Sequence, residues 1–274
     1  PRCGGELELS KASLSSRYVF EGELSCECGY HAEIKDGIVK TGNLYTAPYD
    51  KPDLKRGIYR NVNKDYMVFL KKCEDWILDR LQNDNLSGKV VLEGHVNAHF
   101  FLYRNFQNLP GDCLYIVTDR FPEMLEMYKK NIEQMGIKRN ILFLADASMD
   151  WPLKKQCVDV LISYYGVQEH SLYFKNFYLY DLKPFLKSEV NIYGVSMGYH
   201  KNAKSLALLR EKYPEGDQKG FCWDNLKILY EENGYCYEGS QLWTMRHVAK
   251  QYCFECHVDG EECMIGYFRA VPLH

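Results

Sequence analysis

Three kinds of side chain in this sequence are spaced for chemistry: thiols beside glycine, carboxylates closing apolar runs, and imidazoles in a short polar loop. Cys3 precedes Gly4-Gly5, and Cys28 precedes Gly29, with Cys26 two residues before it. A thiolate ahead of glycine suits a zinc knuckle. Backbone N–H groups must turn toward the sulfur, and glycine permits the tight turn. Glu93, Asp119 and Asp146 each follow a short apolar run. His95 and His99 lie four apart just after Glu93, and His170 follows a later run. An unperturbed imidazole titrates near neutrality, so these histidines suit proton transfer better than a metal ion. Near the C-terminus, Cys253, Cys256, His257 and Cys263 flank Asp259-Gly260. Residues three apart on a strand face opposite ways, so buried core thiols are expected there rather than a shared ion.

The elements that must position these groups are readable in outline. Residues 1–40 are dense in cysteine and glycine with short apolar runs, which predicts a small metal-stapled β domain. Residues 41–64 carry Pro, Gly and Asn and read as a linker. From Asp65 to Leu81, apolar residues recur at three and four, which predicts an amphipathic helix. Residues 65–274 then alternate. KVVLEG, CLYIVTD, NILFLAD, VDVLISYYG and EVNIYGVSM read as buried strands. Between them, helices are expected over 98–109, over PEMLEMYKKNIEQMG and along SLYFKNFYLYDLKPFLK, this one interrupted near Pro184, with a further one at WDNLKILYEENG. Asp259-Gly260 predicts a hairpin turn between two alternating runs. Strands alternating with helices give an α/β, doubly wound parallel sheet, here with a terminal antiparallel hairpin.

Composition bounds the function. Of 274 residues, 46% are hydrophobic and 26% charged, as in a globular chain with a sizeable core. Lys and Arg number 34 against 37 Asp and Glu, so no strongly basic field favours nucleic acid. No run approaches the roughly 20 apolar residues of a membrane span. Eleven cysteines in a chain this long read as reduced thiols in a cytoplasmic protein, some holding metal.

The run from Lys89 to Val195 resembles the class I S-adenosylmethionine-dependent methyltransferases. Leu92-Glu93-Gly94 ends the first strand where that family has an acidic residue. IVTDRFPEMLEMYKKN is close to the family's D-x-S-P-x-M-L pattern, with Asp119 ending the second strand. Asp146-Ala147 follows the third strand, CVDVLISYYGVQEH matches the fourth strand and its loop, and DLKPFLKSEVNIYGV resembles the L-K-P-G-G turn and fifth strand. The resemblance implies a Rossmann-like sheet binding S-adenosylmethionine across its carboxyl ends. Glu93, Gly94, His95, Asn97, Asp119, Arg120, Asp146, Ala147 and Ser163 would line the cofactor. Asp119 would take the ribose, Asp146 the adenine, and Glu93 would meet the methionine ammonium or cap a neighbouring helix. Ser163, Tyr164 and Tyr165 would face the transferred methyl. His95, Tyr164 and His170 are candidate catalytic groups.

The family's first loop is glycine-rich. Here the glycine positions hold His95, Asn97 and His99, or Val96 and Ala98 if Gly94 is taken as the first. Such a loop holds the cofactor in an altered pose, holds something else, or stands empty.

Residues 1–40 are similar to zinc ribbons that open many bacterial methyltransferases, including the ribosomal RNA guanine methyltransferases. That likeness implies structural Zn2+ on Cys3, Cys26 and Cys28, with an upstream cysteine or His31 as fourth ligand. The expected function is methyl transfer from S-adenosylmethionine to an unidentified small molecule, RNA or protein. The alternative is a non-catalytic methyltransferase-like binding or scaffold protein. A third reading has the histidines performing other acid–base chemistry in the same pocket.

Overall fold

The computed structural model describes residues 3–15, 18–41, 64–96, 99–247 and 256–273. Strands β1 (Glu8–Leu14), β2 (Val19–Ser25), β3 (His31–Lys35) and β4 (Ile38–Thr41) precede helix α1 (Lys64–Asn83). Then come β5 (Val90–Gly94), α2 (Phe101–Asn105), β6 (Leu114–Asp119), α3 (Pro122–Gln134) and β7 (Asn140–Ala145). Next are β8 (Val158–Tyr164), α4 (Gly166–Ser171), α5 (Tyr178–Leu182) and β9 (Leu186–Tyr199). Helices α6 (Lys204–Lys212) and α7 (Leu226–Glu232) lead to β10 (Tyr235–Met245) and β11 (Cys263–Pro272).

The described residues form two compact units. The first takes in residues 3–41, 86–159 and 184–187. Its strand order is β1-β2-β3-β4-β7-β6-β5. The N-terminal strands are antiparallel to one another, whereas β4, β7, β6 and β5 run parallel. Residues 1–40, expected as a separate domain, are therefore continuous with this sheet, because β4 pairs with β7 from Ile38↔Phe143 to Lys40↔Ala145. Residues 42–63, most of the expected linker, lie outside the described residues. Helix α3 starts on Pro122, whose missing N–H costs nothing at a first turn, and Gly136 turns left-handed just past its end. It packs its buried Met124, Leu125 and Tyr128 face on β4, β6 and β7.

The second unit takes in residues 64–85, 160–183 and 188–273, with strand order β8-β9-β11-β10. The last strand, β11, is inserted between β9 and β10 and is antiparallel to both. Gly194 and Gly266 permit close strand approach: a β-carbon would come within 2.1 Å of Ser163 O and 2.0 Å of Ser240 O respectively. Helix α1 buries Tyr66, Phe69, Leu70 and Ile77, each burial contributing roughly 1.5–3 kcal/mol. Its Trp76 stacks on Tyr267 at 4.2 Å. Among the described residues no helix is long and apolar enough to cross a membrane.

Several elements differ from the sequence expectation. The terminal hairpin is made by β10 and β11, with Met245↔Cys263 nearest the turn; of the two runs expected to flank Asp259-Gly260, the later one is β11, while 248–255 lie outside the described residues. Gly260 does turn, with φ +91, but it lies in the connection and donates its N–H to Arg246 O. Along SLYFKNFYLYDLKPFLK, expected as a helix interrupted near Pro184, only Ser171 at the end of α4 and the five residues of α5 are helical; most of α4 falls in the segment expected as the loop after the fourth strand. The helix expected over 98–109 is α2 followed by a short 3-10 turn at Phe106–Asn108. Helix α6 has no counterpart in the expectation.

Candidate functional site

Glu93 at the end of β5 is buried. Its carboxylate accepts from Phe101 N (2.6 Å), Leu102 N (3.3 Å) and Tyr128 Oη (2.8 Å). Glu93 thus caps helix α2 from eight residues upstream, supplying the acceptor that the helix's first turn lacks. Burial pushes its pKa up to about 7, against the pull of those hydrogen bonds.

The loop after β5 turns without glycine. Gly94 is buried at the strand end, and it is His95 that is left-handed, with φ +52; Phe100 is left-handed too, with φ +49. The turn of a glycine-rich loop is kept here by residues that pay for it in strain, about 1 kcal/mol or more each. The loop is fastened to β6: His95 N donates to Thr118 Oγ1 (3.2 Å) and Val96 N to Thr118 O (3.0 Å). His95 and His99 are both buried. Burial, followed by the charge of Arg104, lowers the His99 pKa to about 3, so its ring is neutral. Asn97 lies outside the described residues.

Asp119 is buried at the carboxyl end of β6, opposite Ala145 of β7. Its Oδ1 accepts from Phe121 N at 2.9 Å, which fixes the turn into α3. Arg120 is buried beside it, its guanidinium 5.4 Å from the Phe121 ring. Asp146, one step beyond β7, donates its backbone N–H to Asp119 O at 3.1 Å. The Asp146 carboxylate is built into its own loop. Oδ1 accepts from Thr41 Oγ1 (2.5 Å) and Ser148 Oγ (3.3 Å); Oδ2 accepts from Ser148 N (3.2 Å) and Asp150 N (3.1 Å). Burial raises its pKa and these donors lower it, with burial the larger effect. Ala147 beside it is half-buried. The sequence identified Asp146 but not Thr41, which reaches it across 105 residues.

The segment after β8 belongs to the second unit. Ser163 is buried, and its hydroxyl faces Gly166 so closely that a β-carbon there would lie 2.3 Å away. Tyr164 and Tyr165 are both buried, where one core and one surface tyrosine would be the ordinary expectation. Tyr165 is left-handed (φ +57), its N–H donates to Val195 O (2.8 Å), and its hydroxyl meets that of Tyr66 at 2.6 Å. His170 is fully buried on α4, with Nε2 3.1 Å from Asp181 Oδ2 and its ring stacked on Phe174 at 4.5 Å.

At the N-terminus the thiols of Cys3, Cys26 and Cys28 lie within 4.8 Å of one another, and this is the one metal-ligand group among the described residues. Cys3 Sγ is 3.6 Å from Cys26 Sγ and accepts from Gly5 N at 3.2 Å. That N–H holds the Cys3 thiol below its ordinary pKa. Gly4 (φ +76) and Gly29 (φ +87) make the two knuckle turns. His31, expected as a possible fourth ligand, is not in the group: it opens β3 opposite Ser25 and is exposed. At the other end of the chain, His257 is buried, donates from Nε2 to Arg246 O (3.0 Å) and stacks on Tyr199. Cys256 and Cys263 are buried core thiols, and Cys253 lies outside the described residues.

No protein-family profile and no curated protein sequence matches the chain. Solved structures do. Geranyl diphosphate methyltransferase in complex with SAM superposes with a TM-score of 0.55 at 11% identity, over 85% of this chain and 100% of that one. Phosphoethanolamine N-methyltransferase 2 of Haemonchus contortus gives 0.53 at 10% identity, over 79% and 59%. Geranyl diphosphate C-methyltransferase of Streptomyces coelicolor A3(2) gives 0.50 at 11% identity, over 87% and 90%. At such identities the likeness is one of fold: the chain has a Rossmann-like α/β fold similar to that of these methyltransferases.

Proposed function

We propose that the chain is an S-adenosylmethionine-dependent methyltransferase whose acceptor is a small molecule or protein rather than nucleic acid. The observation that carries this reading is Asp119: a buried carboxylate at the carboxyl end of a parallel strand, where a doubly wound sheet binds nucleosides. The residues present fit a nucleoside there. Asp119 is the acceptor for ribose hydroxyls, and Arg120 lies beside it. Gly94 and His95 turn the chain past the end of β5, and Ala147, with no long side chain, leaves room against a planar base. When bound, S-adenosylmethionine supplies an electrophilic methyl on a sulfonium, and the protein contributes chiefly proximity and orientation. Within the second unit, His170 beside Asp181 is the candidate proton acceptor, with Ser163 and Tyr164 the further candidate residues of that unit. The net charge of −3 speaks against a nucleic-acid acceptor. We read Cys3, Cys26 and Cys28 as a structural zinc site, since three convergent thiols are soft donors suited to that ion.

A second reading, a non-catalytic binding protein, draws on two observations. Glu93 and Asp146 already accept hydrogen bonds from backbone and hydroxyl groups of the chain, and buried His95 and His99 stand where the resembled family's loop has glycine. Calorimetric titration of zinc-loaded protein with S-adenosylmethionine and S-adenosylhomocysteine separates the two. Micromolar binding, lost in Asp119→Ala and in Asp119→Asn, supports the enzyme. Absence of binding to both by folded protein moves the assignment to the binding protein.

A further inference from the structure

The thiol group bears on more than its own knuckles. Cys26 N donates to Tyr30 O (3.0 Å) and Gly29 N to Cys26 O (2.9 Å), so Tyr30 closes the second knuckle. The Tyr30 hydroxyl donates to Asp150 O at 3.1 Å, across 120 residues. Asp150 N in turn donates to Asp146 Oδ2. Asp150 is thereby clamped at both of its peptide groups, one by the knuckle and one by the acid at the end of β7. The first knuckle reaches the same segment, because Lys155 Nζ lies so near Gly4 that a β-carbon there would approach it to 3.2 Å. Thr41, from the strand that continues this N-terminal unit, holds the other oxygen of Asp146. Residues 146–155 thus rest on the N-terminal unit at three points, two of them parts of the thiol knuckles.

We infer that a metal ion on Cys3, Cys26 and Cys28 sets the conformation of the loop after β7 through Tyr30, so that metal occupancy tunes ligand binding at that loop. The donor set fits such an ion: three sulfurs already converge, and Gly5 N–H points at one of them. Without an ion, the thiols join the two knuckles by sulfur–sulfur hydrogen bonding alone, with Cys3 to Cys26 at 3.6 Å, and a thiol is a weak donor. The two knuckles then part, and Tyr30 and the Gly4 turn withdraw from 146–155. The consequence for ligand binding rests on the methyltransferase reading; the mechanical link does not.

The test is hydrogen exchange on the full chain, zinc-loaded and chelator-stripped, in wild type and Tyr30→Phe. Zinc content is measured first, and one ion per chain is expected. Stripping should speed amide exchange over 146–155 about tenfold while β5 and β6 keep their protection. With zinc bound, Tyr30→Phe should speed exchange around Asp150 about fivefold, as loss of one hydrogen bond implies. Absence of bound zinc, equal rates over 146–155 with and without it, or wild-type rates in Tyr30→Phe would each overturn the inference. Should stripping loosen the whole unit, the zinc-bound Tyr30→Phe arm decides. S-adenosylhomocysteine affinity, measured in parallel, should weaken with the loop. Changed exchange with no nucleoside binding by any form keeps the link and sinks the enzyme reading alone.

Discussion

The loops that follow β5 and β7 solve one problem in opposite ways. Both must end a parallel strand at the carboxyl edge of the sheet, and both are held by a buried carboxylate. After β5 the anchor is local: Glu93 reaches eight residues on, and the price is left-handed His95 and Phe100. After β7 the anchor is divided: Ser148 and Asp150 donate to Asp146 from within the loop, Thr41 donates from β4, and Tyr30, in the turn before β3, holds Asp150. Both loops hold left-handed backbone, His95 and Phe100 in the first and Met149 (φ +57) in the second, and in the first it is restrained by a titratable acid. The second is braced by a neighbouring element and by the thiol group behind it.

Substitutions can break this comparison. Glu93→Ala should be the most damaging, about 3 kcal/mol by urea unfolding, since it strands two buried N–H groups and the Tyr128 hydroxyl. Asp146→Ala should cost about 2 kcal/mol, less because its donors at Ser148 and Asp150 are only part-buried. A pH series sharpens the contrast. Glu93 binds its proton more tightly folded than unfolded, so its contribution falls as pH rises from about 4.5 to about 7. His99 binds its proton less tightly folded, so its contribution rises from about pH 3 to about 6.5. Between 4.5 and 6.5 the two slopes oppose each other. Glu93→Gln should uncover the rise and His99→Gln the fall, in urea midpoints from pH 4 to 8. A Glu93→Gln profile parallel to wild type would refute the assignment. The smallest effect is the reverse of damage: His95→Gly should raise stability by about 1 kcal/mol or less by relieving its left-handed backbone, and thermal melting would show it.

What the sequence made legible follows from range. Strands β5 to β9 are short apolar runs, and α1, α3 and α7 carry their periodicity or their end signals within a few residues. Asp119 and Glu93 were visible as acids closing such runs. Helix α6 was not, because its first turn is held by Glu261, which accepts from Lys204 N across 57 residues and from Ser205 N. Strand β10 was hidden by Glu238-Gly239-Ser240-Gln241, which reads as a turn, and by a register shift between Gln241 and Trp243. At the site, the acids were found but their partners were not. Nothing local to Asp146 points to Thr41, and nothing near Cys28 points to Asp150. Spacing placed the three thiols together, yet it also offered His31, which pairing opposite Ser25 carries away.

The parallel pairing of β4 with β7 has a consequence for synthesis. The thiol knuckles and strands β1 to β4 leave the ribosome before β7, and the strand that completes their sheet edge lies about a hundred residues later. At roughly 5–20 residues per second, that is a wait on the order of 5–20 seconds with the β4 edge bare. An unpaired edge invites other chains. A metal ion taken up early by Cys3, Cys26 and Cys28 would close the knuckles during that interval, making metal supply a determinant of how much chain reaches the native state.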